Sequence, residues 1–177
     1  AKSASYSSEL IISPAQIRSG VFSFKRGSAA GPMGDMPGYF REMLLGPGST
    51  ALLESMSAFA NLLVKHSFPD KVAGMYASAR LLPFKKKDDG VRPIAVGNFW
   101  GRLCGKIAMQ KLKRAATALL RPHQLGVGVA NGAEAILHAV SSSIQSHLTE
   151  DFSVLQLDFC NAFNLIDRSK MLEQVRC

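Results

Sequence analysis

The sequence predicts an α+β chain, mostly helical, with one β-hairpin and a further short apolar strand near its end. Three observations carry that expectation. Apolar residues recur at three and four along residues 49–64, 99–120 and 132–148, the period of helices with one buried side. Two β-prone runs flank Asp88-Asp89-Gly90 in RLLPFKKKDDGVRPIAV, the pattern of a hairpin. Finally, SVLQLDF at 153–159 is a brief apolar run of strand length. The 177 residues, 47% hydrophobic and 19% charged, can fill a core, which excludes disordered and fibrous classes. Their number suits one domain, or one domain and a fragment.

Residues 1–20 are polar and Ser-rich around the short patch Leu10-Ile11-Ile12, and 1–25 is expected to be a loosely attached lead-in. RGSAAGPMGDMPG at 26–38 holds four Gly and two Pro, a density that means turns with positive φ. After Gly46-Pro47-Gly48, Ser49 or Thr50 is expected to cap a helix burying Leu52, Leu53, Met56, Phe59, Leu63 and Val64. The hairpin follows over 80–96. From Phe99 to Leu120 a helix is predicted with Leu103, Ile107, Leu112 and Leu119 on its packing side. Arg102, Lys106 and Lys113 fall within ~40° of one another on the opposite face.

Pro122 ends that helix, and Asn131 and Glu134 are spaced as an N-cap and its third-position partner. Ile136, Val140, Ile144 and Leu148 then predict a second core helix. Asp167 is placed to cap a last one, whose pattern still runs at MLEQVRC, so a piece of a longer chain is expected. No internal repeat is evident.

The formal charge of +8 comes from 21 Lys and Arg against 13 Asp and Glu. It is localised: residues 85–121 hold ten basic and two acidic residues, and the remainder is balanced. Such concentration is the footprint of a surface that meets phosphates, although a solvated helix face beside a basic turn has the same composition. Cys104, Cys160 and Cys177 are odd in number and form no CxxC, which argues against a disulfide framework or a zinc site and for a reducing compartment. His66, His123, His138 and His147 are scattered and read as structural or solvated. No apolar run approaches the ~20 residues of a membrane span, so no membrane partner and an intracellular location, cytoplasmic or nuclear, are expected.

Asp158 closes the apolar run at 153–159, and a carboxylate at the end of a buried strand needs a partner, a hydrogen-bond network or a metal. Alone it is more often structural. Its surroundings, LQLDFCNAFNLIDR, resemble motif A of reverse transcriptases, in which a strand ends in a metal-binding Asp and runs into a turn and a helix. Upstream, RGSAAGPMGDMPG resembles the glycine-rich loop before the fingers helix of retrotransposon-type enzymes, with Met33 where Asp is usual. LLPFKKKDDGVRPIAVGNFWGRLCGKI is similar to their paired fingers strands, and QLGVGVANGAEAILHAV to the segment before motif A. The resemblance covers 26–177 and lies closest to the non-LTR type. It implies a helical fingers region with a β-hairpin over 26–152, and the first strand and helix of a right-hand polymerase palm, incomplete, over 153–177.

The resemblance implies RNA-directed DNA synthesis with an RNA template, a DNA primer and a dNTP as partners, and two Mg²⁺ or Mn²⁺ ions as cofactors. Asp158 and the backbone carbonyl of Phe159 would be metal ligands. Asn161, Ala162 and Phe163 would meet the incoming nucleotide, the Phe163 ring selecting against a 2′-hydroxyl. RNA polymerases with a similar motif usually carry a second Asp at that spacing. Lys86 or Lys87, with Lys85 as the third possibility, and Arg92 would hold the triphosphate. Arg102, Lys106 and Lys113 would track backbone phosphates, and Gln124 with its glycine-rich loop would approach the nucleic acid, unless that loop is an ordinary connection.

The second carboxylate pair of such enzymes, in a Tyr-x-Asp-Asp setting, is absent from these 177 residues. The chain alone is therefore expected to be inactive, the missing palm and thumb of the parent chain being its partners. Its apolar strand is expected to lack sheet neighbours and to make the fragment marginal or prone to associate. A non-catalytic nucleic-acid-binding module or a decayed retroelement fragment is the alternative, and a helical domain with an incidental basic patch is a third reading.

Overall fold

The computed structural model describes residues 10–65, 67–85, 87, 89–147, 153–159 and 162–176. The fold is α+β, and the chain divides into two compact units, Ala1–Arg121 and Pro122–Cys177. Among the described residues no helix is long and apolar enough to cross a membrane.

The first unit begins with α1 (Pro14–Phe22), which has a full capping box. The Gln16 amide donates to Ser13 Oγ at 3.3 Å and the Ser13 amide to Gln16 Oε1 at 2.9 Å, with Pro14 in the first turn. From Leu10 onward the expected loose lead-in is corrected, because Ile12, Ile17 and Val21 are at most 1% exposed and belong to the core; residues 1–9 lie outside the described residues. Leu10-Ile11-Ile12 is too short to show a period, so its burial had no sequence signature. The patch is held by α3 (Ser49–Val64): Asn61 Oδ1 accepts from the Ile12 amide at 2.8 Å, and Asn61 Nδ2 and Ser57 Oγ both donate to the Ile12 carbonyl.

Helix α3 forms over the predicted residues, but its N-cap is Gly48 and no side chain caps it, so neither Ser49 nor Thr50 plays that part. The short α2 (Pro37–Met43) precedes it and α4 (Asp70–Ala77) follows. Strands β1 (Ala79–Lys85) and β2 (Val91–Gly97) then form the predicted antiparallel hairpin, with Leu82 opposite Ile94 and Phe84 opposite Arg92.

Helix α5 (Phe99–Leu120) is capped by Asn98, whose Oδ1 accepts from the Gly101 amide at 2.7 Å. Only its first turns are core: Phe99, Leu103 and Ile107 are buried, whereas Leu112 is 56% and Leu119 84% exposed. The packing side predicted along its full length therefore stops early, since α1 and α3 reach only its amino-terminal half. Gly20 of α1 faces that half so closely that a Cβ there would lie 2.6 Å from Leu103 Cδ1.

In the second unit, α6 (Gly132–Ser146) starts after Asn131, which sits at φ 54° and makes no side-chain cap bond. Asn131 marks the helix start as expected but through backbone conformation, and Glu134 instead stands 3.9 Å from His138. The expected core helix is also corrected: Ile136, Val140 and Ile144 are each about two-fifths exposed, and Leu148 lies outside the described residues. The strand expected at 153–159 does not form. No other strand pairs with it among the described residues, and Leu155, Leu157 and Phe159 stand exposed. A strand exists by its ladder, and none is offered. The short α7 (Ala162–Leu165) and α8 (Arg168–Arg176) close the chain, with Asp167 accepting from the Ser169 and Lys170 amides at 2.9 and 3.1 Å as expected of a cap.

Candidate nucleic-acid interface

The hairpin gathers Lys85, Lys87 and Arg92 at its turn, while Arg80 stands at its base. Its register pairs Lys85 with Val91 and Phe84 with Arg92, so the last rungs before the turn carry a cation on each strand. Lys87 follows in the turn, exposed, while Lys86 lies outside the described residues. Asp89, at φ 58°, turns the chain and receives Lys85 Nζ at 2.6 Å, an exposed pair of small energetic worth. Of the hairpin cations predicted to meet a triphosphate, Lys87 and Arg92 are thus left with no ion-pair partner among the described residues.

The glycine-rich loop meets the base of that hairpin. Gly27 and Gly34 adopt positive φ, as their density predicts. Gly31 is buried where a Cβ would lie 2.6 Å from both the Gly97 carbonyl and Asn98 Cα, so only glycine lets the loop approach the junction of β2 and α5. This contact ties the loop to the end of the hairpin and the start of α5 in space.

On α5, Arg102 and Lys106 are engaged by the protein rather than simply turned to solvent. Arg102 Nη2 donates to the Ala29 carbonyl at 2.8 Å, Lys106 Nζ reaches the Ser23 carbonyl at 3.5 Å, and both sit over the Phe24 ring. Burial lowers the Arg102 pKa from its ordinary value, far too high for the charge to be lost near neutrality. Lys113 stands exposed further along. Gln124, in the other unit, folds onto its own loop, its Oε1 accepting from the Gly126 amide at 2.6 Å.

Asp158 and Phe159 lie in the exposed segment 153–159. Asn161 falls outside the described residues, Ala162 opens α7, and Phe163 is within that helix with its side chain outside the description. Among the described residues no group of three His, Cys, Asp or Glu is arranged to hold a metal. One carboxylate and one carbonyl fill only part of an octahedral oxygen shell, so these residues do not by themselves fit a pair of divalent ions.

Arg18, Lys25, Arg26 and Arg41 are basic residues that the segmental charge tally passes over, because residues outside 85–121 sum to neutrality. The available signal was finer: residues 10–34 contain three cations and no carboxylate. No protein-family model matches the chain, nor does any curated protein or solved structure match it.

Proposed function

We propose that the chain is the substrate-holding, amino-terminal part of a retroelement RNA-directed DNA polymerase, whose partners are an RNA template, a DNA primer and a deoxynucleoside triphosphate. The hairpin carries the reading. It forms where the fingers strands are expected, and Lys87 and Arg92 at its tip are left to a ligand. A guanidinium fork suits two phosphate oxygens, and an ammonium adds a mobile point charge. The order of the loop, hairpin, basic helix and Asp158 segment supports the same reading. Because a lone carboxylate does not hold two ions, the 177 residues bind primer–template without extending it.

The test is anisotropy of a labelled RNA·DNA primer–template over a NaCl series, with primer extension in Mg²⁺ run beside it. Binding that weakens steeply with salt, without extension, is expected. Salt-insensitive or absent binding overturns the nucleic-acid reading, and extension by this chain overturns its division from the missing carboxylates. A non-catalytic binding module shares the hairpin and the single Asp158. Reading the parent frame for a Tyr-x-Asp-Asp hairpin separates the two.

A further inference from the structure

Folding assembles a second concentration of cations that is dispersed along the chain. Arg18 of α1 and Arg41 of α2 lie over the Phe22 ring, 5.1 and 5.2 Å from its centroid. Arg102 and Lys106 of α5 lie over the Phe24 ring at 5.4 and 4.8 Å. Lys25 and Arg26 follow directly in the chain and stand exposed. Among the described residues none of these six is paired with a carboxylate.

Beside them is a cavity of about 320 Å³ whose wall includes Phe24, Lys25, Arg26, Pro37, Arg41 and Glu42. That volume is at the lower end of the ~300–1,000 Å³ of small-ligand sites, room for a sugar-phosphate rather than a larger group. Arg41 is the fixed element of the wall, its Nη2 donating to the carbonyls of Phe22 at 2.8 Å and Phe24 at 2.7 Å. Its Nε and Nη1 keep their donors free of protein partners among the described residues. Three cations against one carboxylate select an anion. Four cations over these two rings, with Lys25 and Arg26 in the cavity wall, exceed what a single small anion neutralises, and match a strand that repeats its charge every ~3.4 Å.

We propose that this cluster is a second phosphate-binding surface of the first unit, with the cavity of Lys25, Arg26 and Arg41 seating one backbone phosphate of a nucleic-acid strand. It rests on the function proposed above and adds to the hairpin a contact on α1, α2 and the loop between them.

The experiment uses the full 177-residue chain and a labelled RNA·DNA primer–template. Lys25→Gln with Arg26→Gln removes two exposed charges, and thermal unfolding checks that the fold is kept. The double variant is expected to bind more weakly, with a plot of log affinity against log salt shallower by about two. Lys87→Gln with Arg92→Gln, at the hairpin, serves as the comparison. If the hairpin variant loses slope while the Lys25 and Arg26 variant keeps the wild-type slope, this surface is overturned and the proposed function stands. If the wild-type chain binds no nucleic acid, both fall.

Discussion

The ring of Phe40 lies flat on that of Phe99, with 3.9 Å between centroids and 5° between planes. Trp100 meets both rings edge-on and reaches Phe59 of α3 at 4.7 Å. This aromatic cluster fastens α2 and α3 to the start of α5. Phe99→Ala is expected to cost about 3–5 kcal/mol, since Phe99 is fully buried and its loss leaves a cavity beneath Phe40. A urea titration followed by tryptophan fluorescence measures it. A cost below ~1 kcal/mol contradicts the packing described.

Gly31 and Gly38 lie in one loop-and-helix segment and are expected to respond in opposite directions. A methyl at Gly31 meets backbone of Gly97 and Asn98, which cannot swing away, so Gly31→Ala should destabilise by about 1–3 kcal/mol. Gly38 is helical with nothing within 4 Å of an added Cβ, and Gly38→Ala should stabilise by about 0.4–1 kcal/mol. Their melting temperatures should bracket that of the wild type.

Asp89→Gly should leave stability within ~0.5 kcal/mol, because the exposed ion pair it removes and the left-handed strain it relieves are both small. It also releases Lys85 and raises the charge of the hairpin tip by one. Under the proposed function, affinity for a primer–template should therefore rise at low salt. Equal or weaker binding speaks against a phosphate at the tip.

Burial pushes the Cys104 thiol up from 9.0 to about 11, against a smaller opposing effect of a backbone hydrogen bond. In a Cys160→Ser, Cys177→Ser background, native Cys104 should resist iodoacetamide at pH 8 and react promptly in urea. The folded chain holds this proton where the unfolded chain releases it, so the contribution is complete below pH 9 and is lost as pH rises toward 11. Cys104→Ala should remove part of the fall in urea midpoint between pH 8 and pH 10.5.

Elements with a strong period or a turn signal were legible in the sequence: α3, the hairpin, α5 and the Asp167 cap all form near their predicted residues. What was not legible depended on partners. Ile12 is buried because Ser57 and Asn61, four residues apart on α3, capture its backbone, and no local pattern announces such a contact. Ile136, Val140 and Ile144 read as core because their spacing shows only that a helix has an apolar face, not that anything covers it. At the candidate site, the cations of the hairpin and of α5 were found by counting, whereas Arg18, Lys25, Arg26 and Arg41 lie outside the counted segment and join Arg102 and Lys106 only through the fold.

Those gathered cations also bear on how the fold responds to its solvent. Bringing like charges together is work done against their repulsion; carbonyls and ring faces offset part of it at Arg41, Arg102 and Lys106, but among the described residues no carboxylate is paired to any of the six. Added electrolyte shortens the reach of the repulsion to about 10 Å at 0.1 M and less above it. Most charged surfaces lose ion-pair energy as salt rises; here moderate NaCl should tighten the packing of α1, α2 and α5, so that ionic strength becomes a stabilising agent for the first unit.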